Sequence, residues 1–504
     1  MNQLNCAFRT LSIVLMWLVV PQLTLAQGYD TPLTFQGLSH RTSQSAASRA
    51  AGGITFALRS DVSVMFTNPA LLTSLQDIQL SVGAVQQYVN DKQDQLYGGL
   101  QNYSAFNLLM QGTTWQVSDP ESVLVNQADS VQRPFDTIGP TWGRKASKGR
   151  PLQLMVAVPF SIETVRLVAG LGVVEYANLN RYYQNNNCLS PSVLSVLDST
   201  ISTRNLNTNP YVAQWYQYYQ QRDGTIRGYG GALSAVFAEK LSVGVSGMLL
   251  KGTTDDQEVR VGRGRLVFYN NSLRLDKMNV SSYVKTGTSD YSGADFTFSA
   301  RYSGRNFDIG FAVKPPTTIT RTYTGSFSAD TITAVSLLSH RVDSLHAVGT
   351  TSLSGEDKMK LPWQWTIGFA VRVLENLSVG LEYEIRSYAS ATYTAPDGTA
   401  SNPWLSSSAW HIGIEYRPNP WLALRAGARD YAEVYEPLSN AIRGDPVSYG
   451  VYSAGFGVTF ANAHLNVAYE YYDMKYVDTW SNAASINREF LSSFVASIAY
   501  DVPW

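Results

Sequence analysis

The sequence predicts an all-β fold, a transmembrane antiparallel β-barrel of about fourteen strands behind a small N-terminal element. Three observations carry that prediction. The final residues alternate without a break, with Phe494, Ala496, Ile498, Tyr500, Val502 and Trp504 on one face. An apolar closing strand that stops on an aromatic suits a barrel whose outer face meets hydrocarbon. Charged residues make up 15% of the chain and aromatics 12%, whereas soluble domains carry roughly 25% charged residues. Short and long connections also alternate along the second half of the chain, as periplasmic turns and outer loops do in single-chain barrels.

Residues 1–26 read as a secretory signal. Arg9 is the charge of the n-region, Leu11 to Val20 form the apolar run, and Thr24-Leu25-Ala26 fits a small-residue cleavage site before Gln27. The run is too short to span a bilayer as a helix. Beyond the signal the chain keeps one cysteine, Cys188, so an intrachain disulfide framework is excluded. A formal net charge of −1 offers no basic field for nucleic acid. These features place the chain in a Gram-negative outer membrane, surrounded by lipid, and nothing in them demands more than a monomer.

The strands follow in order from alternation and turn length. The predicted spans are 77–89, 151–160, 164–176, 227–238, 241–253, 292–303, 306–327, 361–373, 377–392, 409–417, 421–431, 449–460, 464–475 and 490–503. Turns fall at Glu239-Lys240, Gly304-Arg305, Leu374 to Asn376, Pro418-Asn419-Pro420 and Ala461-Asn462-Ala463, and the even count leaves both ends on the periplasmic side. Pro315-Pro316 is expected to kink the seventh strand, because proline cannot donate to a ladder.

The two faces separate by polarity. Leu377, Val379, Leu381, Tyr383 and Ile385 oppose Ser378, Gly380, Glu382, Glu384 and Arg386. A lipid-facing Arg or Lys costs about 2–4 kcal/mol near the midplane, so the charged set must face the lumen. Tyr388, Tyr393, Trp404, Trp410 and Tyr416 lie near strand ends and suit interfacial girdles.

Residues 27–76 lack sustained alternation. They hold Ala50-Ala51-Gly52-Gly53, Asp61 and the run Asn68-Pro69-Ala70-Leu71-Leu72-Thr73 ahead of Gln79-Leu80-Ser81-Val82-Gly83. An Asn-Pro pair by itself is an ordinary turn signal. In this order the segments resemble the start of the FadL/OmpP1/TodX family, outer-membrane transporters of long-chain fatty acids and other hydrophobic compounds. Leu361-Pro362 before Thr366-Ile367-Gly368-Phe369, the stretch Trp421 to Ala428, and the hairpin at 227–253 are similar too. The resemblance implies that residues 27–75 form a hatch inside the periplasmic end of a barrel made by 76–504, with Asn68, Pro69 and Ala70 as the hatch motif. It implies ligand capture at the extracellular side and lateral release through a gap at the third strand. Gly170 and Gly172 are the candidate kink there, although glycine in a small barrel also simply relieves crowding.

Candidate ligand contacts come from two places. Tyr211, Trp215, Tyr216, Tyr218 and Tyr219 lie in an outer loop, and a short helix would put several on one face. Exposed aromatic patches mark interaction sites, but packing against the barrel rim is an equal reading. Inside, Arg372, Arg425 and Arg429 could hold a carboxylate, whereas pairing with Glu382, Glu384, Glu415 and Glu470 in a structural network is the commoner outcome for such residues.

Catalytic motifs are absent: there is no Gly-x-Ser-x-Gly, His-Glu-x-x-His or phosphate loop. The five histidines and one mature cysteine do not make a zinc site, so no enzyme, metal or cofactor is expected. The function that follows is passive uptake of hydrophobic small molecules, most readily long-chain fatty acids. The rival is a barrel scaffold that binds protein cargo in a secretion system; a general diffusion porin is disfavoured by a hatch.

Overall fold

The structure is a computed structural model that describes residues 37–39, 45–56, 61–95, 141–190, 208, 211–237, 240–268, 273–276, 282–333, 345–435, 447–478 and 485–503. The signal segment and Trp504 lie outside the described residues.

Twenty strand segments form one sheet. The first hairpins are built from β1 (Ile78–Gln95), β2 (Trp142–Ile162), β3 (Val165–Asn178), β4 (Arg181–Ser190), β5 (Tyr211–Phe237), β6 (Leu241–Phe268) and β7 (Leu273–Asp276). Next come β8 (Tyr283–Ser303), β9 (Phe307–Lys314), β10 (Thr317–Thr333), β11 (Leu345–Leu361), β12 (Gln364–Leu374), β13 (Leu377–Arg386), β14 (Thr392–Thr394) and β15 (Ala400–Ser401). The chain closes with β16 (Ser407–Asn419), β17 (Leu422–Ala432), β18 (Ser448–Phe460), β19 (Ala463–Asp478) and β20 (Ser485–Val502).

Antiparallel pairing runs β1-β2-β3-β5-β6-β8-β9-β12-β13-β16-β17-β18-β19-β20 and returns to β1, a closed wall of fourteen strands. The closing ladder runs from Ile78 opposite Val502 to Gln95 opposite Ser485. At the level of the apolar band, closure leaves no unpaired edge, the condition for a sheet to stand in hydrocarbon. The outer face carries an apolar band: Leu80, Val82, Leu154, Leu171, Phe296, Phe298, Ile309 and Ile498 are all exposed. Phe160, Phe237, Tyr302, Tyr416, Trp421 and Phe460 flank the short turns, and Tyr229, Trp365, Trp410 and Tyr452 lie towards the other rim.

Two strands are interrupted as proline demands. β9 and β10 are one strand broken at Pro315-Pro316, and β11 and β12 are one strand broken at Pro362-Trp363. The registers Lys314 opposite Gln364 and Thr317 opposite Leu361 place the two breaks face to face. Several strands also run further outward than alternation predicts. β5 and β6 have 27 and 28 residues, about 90 Å of chain at ~3.4 Å per residue, far more than a bilayer needs. Above the lipid both faces meet water or loops, so the polarity alternation that marks a strand fades.

Candidate functional site

The N-terminal segment lies inside this wall. Helix α1 (Ala46–Ala50) is capped by Ser45, whose hydroxyl accepts from the Ser48 amide at 3.0 Å. Gly52 and Gly53, at φ 71° and 88°, turn the chain out of it. Two 3₁₀ turns follow, Val62–Val64 behind an Asp61 cap and Pro69–Ser74 opened by Pro69. Pro69 suits that first position because its missing amide would be unbonded there anyway. Asn68, at φ −149° and ψ 74°, stays out of the helical region, as a residue before proline does. Asp61 Oδ1 accepts the Ser63 amide at 2.8 Å. Burial pushes the Asp61 carboxyl above its ordinary range, and the Ser63 bonds pull it partly back.

Glycines on the inner face receive this plug. A Cβ at Gly413 would strike the Ala51 carbonyl, one at Gly427 the Gly52 amide, one at Gly368 or Gly310 the Phe56 ring, and one at Gly244 the Pro69-Ala70 backbone. Gly170 performs the same service for Met65. The inner wall is thus cut away where the plug touches it.

Polar contacts fix the plug from two sides. On β13, Glu382 Oε1 accepts the Phe56 amide at 2.9 Å, the Thr55 hydroxyl at 3.1 Å and the Thr55 amide. His411 Nδ1 lies 3.0 Å from Gly52 O, and the Gly52 amide donates to Ser453 at 3.0 Å. Glu470 sits between two guanidiniums, Arg429 at 2.8 Å and Arg49 of α1 at 3.3 Å. Across the lumen, the Ala70 amide donates to Ser299 at 2.8 Å, Ser234 donates to Pro69 O at 2.6 Å, and Thr297 donates to Phe66 O at 3.1 Å. Asn68 reaches Thr55 at 3.4 Å. The Asn68-Pro69-Ala70 motif is therefore a docking segment, with Pro69 and Ala70 bound to the wall through their backbone.

The remaining inner face is divided. From β3 to β11 an apolar stripe stands out: Val174 and Tyr176, then Ile226, Leu250, Tyr291, Ile319, Met359 and Leu361 on successive strands join one buried cluster, bordered by the Lys314–Asp295 and Arg321–Asp357 ion pairs. Ile319 stands directly opposite Met359, which fixes this stripe in register. The cluster includes the plug's Phe56, Met65 and Phe66 below and Tyr388, Trp404 and Val434 above. From β13 to β20 the inner face is ionic at several heights, with the Arg386 pair near the plug and the Arg425 pair closer to the short turns. Arg425 bonds Glu415 at 2.7 Å and Asn466 at 2.8 Å, and Arg386 bonds Glu384 at 2.7 Å.

Several sequence expectations change here. Tyr388 and Trp404 are not girdle residues; the connection from β13 to β16 turns inward, and the two rings meet edge to face at 5.4 Å inside the apolar cluster. Tyr393 is half-buried against the same cluster, while Trp410 and Tyr416 do face outward. The loop aromatics belong to β5, a strand and not a helix. Strand alternation puts Tyr216 and Tyr218 on the inner face, buried with Tyr183, Tyr435, Met474 and Tyr476, and Tyr219 on the opposite side. They are no exposed landing patch. The side chains of Tyr211 and Trp215 lie outside the described residues. Arg372 sits at a short-turn rim, bonded to Gly304 O at 3.0 Å and 3.9 Å from Asp308, away from the lumen charges.

The third strand does depart from its neighbour, but not at the glycines. The β2–β3 and β3–β5 ladders pass through Gly170 and Gly172 without a shift. The shift falls between Glu175 and Ala177, and the β2–β3 ladder stops at Gln153 opposite Val174 while β2 continues outward with β1 to Trp142. Side chains bridge the resulting gap: Arg150 binds Glu175, Lys148 binds Asn180 at 3.2 Å and Asp223, and Trp142 donates to Gln184 O at 3.1 Å. A cavity of about 310 Å³ lies behind it, lined among others by Arg49, Arg150, Arg429, Tyr431, Glu470 and Tyr472. Arg49 Nε is buried there without a hydrogen-bond partner among the described residues. Asp91, Asp223, Glu433 and Glu489 line the cavity as well, so cations and acids are mixed in it.

No family model and no curated protein matches the chain. Solved structures do. The toluene transporter TodX of P. putida superposes with a TM-score of 0.53 at 14% identity, covering 91% of this chain and 99% of that one. A FadL homologue of Pseudomonas aeruginosa gives 0.53 at 13%, covering 91% and 98%. The toluene transporter TbuX of Ralstonia pickettii gives 0.50 at 13%, with the same coverage. At such identities the likeness is one of architecture, and the chain has the fold of the FadL/TodX group of outer-membrane transporters.

Proposed function

We propose that the protein is an outer-membrane channel for passive uptake of hydrophobic small molecules, with long-chain fatty acids as the favoured substrate. The observation that carries this is the continuous apolar stripe on the inner face, which runs from the plug to Tyr388 and Trp404. A lumen that passed only water-soluble cargo would not need it. Each methylene moved from water onto that stripe contributes roughly 0.8 kcal/mol. The stripe is covered by the protein's own side chains, so a ligand takes the place of Trp404 and its neighbours. The buried Arg49 Nε, in a cavity that mixes cations and acids, offers a donor to a carboxylate, which favours an acid over a neutral hydrocarbon. Release follows laterally through the gap outward of Val174, once the Arg150–Glu175 and Lys148–Asp223 bridges part.

The experiment is equilibrium binding of a labelled long-chain fatty acid to the folded barrel, with the matching alcohol and a short-chain acid alongside. Saturable binding that rises with chain length and weakens several-fold for the alcohol is expected. Equal binding of acid and alcohol removes the carboxylate part of the reading. No chain-length dependence in a folded barrel removes hydrophobic uptake and revives the protein-binding scaffold.

A further inference from the structure

The outward face of β5, β6, β8, β10 and β11 changes chemistry row by row. Cross-strand registers set the rows, which run perpendicular to the strands and so climb with strand tilt: Leu233, Val245, Phe298, Val313 and Trp365 are successive ladder partners on the outward face. Two rows outward, Tyr229, Leu249 and Ala294 are level. The next row reads Arg227, Lys251, Ser292, Thr320 and Lys358. Beyond it stand Thr225, Thr253, Asp290, Thr322 and Glu356. Rows are two residues apart, about 7 Å along a strand. Apolar band, aromatic margin, cations and finally hydroxyls with acids therefore succeed one another.

The cation row is costly on its own terms. Arg227 and Lys251 stand directly opposite each other, and like charges in that position repel. Among the described residues neither has an acidic partner. Glu175, level with Arg227 on the other side, is bound to Arg150. Lys358 has Glu356 at 3.1 Å. Three strand spacings, about 14 Å, separate Lys251 from Lys358, with Ser292 and Thr320 between them. A shallow dish of about 680 Å³ covers Arg227, Lys251, Ser292 and Thr322, with Asp223, Asp255 and Asp290 on its lining too.

We propose that this row binds a phosphorylated glycolipid of the outer leaflet, its acyl chains along the apolar band and its phosphates on the cations. Arg227 and Lys251 take one phosphate by charge-assisted bonds. Lys358 takes a second, and the hydroxyl and acid rows receive the sugar. The site lies outside the barrel and is independent of what passes through the lumen.

The test is native mass spectrometry of the detergent-purified full chain with a diphosphorylated acylated disaccharide lipid, its monophosphoryl form and its dephosphorylated form. The wild type should retain the diphosphorylated lipid at least tenfold better than the dephosphorylated one. Arg227→Ser/Lys251→Ser/Lys358→Ser should lose that preference while keeping the heat-modifiable migration of a folded barrel and its fatty-acid binding. Arg227→Lys should keep most of it. Should the triple variant not fold, Lys251→Ser alone should still lower retention at least threefold. Retention that ignores the phosphates, or that survives in a folded variant, overturns the proposal.

Discussion

The two sides of the lumen are made of the same fold and do different work. On the β13–β20 side the plug is held by ions and backbone acceptors: Glu382, His411, Ser453 and the Arg49–Glu470–Arg429 set. On the β3–β11 side the level outward of the plug is an apolar stripe from Val174 to Leu361. An apolar stripe gives weak directional hold and tolerates exchange of one hydrocarbon for another. A buried ion set tolerates no exchange, because removing one member strands the others. The ionic side holds the plug at Arg49 to Phe56, Ser234, Thr297 and Ser299 hold it at Phe66 to Ala70, and under the proposed function the stripe outward of these contacts is the part a hydrophobic ligand would occupy.

The sharpest way to break that division is Glu470→Ala. It leaves the Arg49 and Arg429 guanidiniums facing each other in a buried site, and such a loss costs about 3–5 kcal/mol. The expected outcome is a barrel that still migrates as folded but unfolds at lower denaturant, with raised conductance in planar bilayers. Unchanged conductance would show that the ionic side does not hold the plug. On the other side, Trp404→Ala should cost about 3 kcal/mol of packing and uncover the stripe. Its expected signature is opposite in kind: faster uptake or tighter binding of a long-chain acid, with conductance little changed. If both variants act alike, the two sides are one unit and the division fails.

Gly413→Ala comes next, since a Cβ there meets the Ala51 carbonyl and not a movable side chain. Overpacking of this sort costs about 1–3 kcal/mol, and the plug should unseat on the ionic side. The check is protease sensitivity of residues 45–56, which should rise in the variant and not in Gly143→Ala, where a Cβ meets only ordinary contacts from 3.7 Å.

Much of this was legible before any coordinates. Leu424 faces out and Arg425 in, and Leu465 and Tyr469 oppose Asn466 and Glu470, as alternation requires. What alternation reports is a difference of solvent across the sheet, so it fails where that difference ends. β11 lies largely outward of the apolar band and carries Ser352, Ser354, Glu356, Lys358 and Lys360 on its outer face; it reads as loop. Tyr388 and Trp404 depart from the girdle expectation for a related reason: an aromatic near a strand end is equally suited to an interface and to a loop folded inward. The plug seats carry a readable signal of their own. Gly368, Gly413, Gly427 and Gly455 all occupy inner positions of correctly placed strands, and glycine recurring on one face marks a close backbone approach.

The smallest expected effect tests how the ionic side works. Glu382→Gln keeps the side-chain carbonyl that can still accept from Phe56 and Thr55, and removes only the charge. Hydrogen bonds to a charged acceptor exceed neutral ones by about 1 kcal/mol, so the denaturation midpoint should fall slightly and conductance should stay near wild type. Glu382→Ala removes the acceptor itself, strands the Thr55 and Phe56 amides, and should open the plug at Phe56. A graded series, Gln mild and Ala severe, would mean that the site acts as a backbone cap. Equal damage from both would mean that the carboxylate charge is what matters, through His411 on the neighbouring strand, and would place Glu382 in the same electrostatic unit as Glu470.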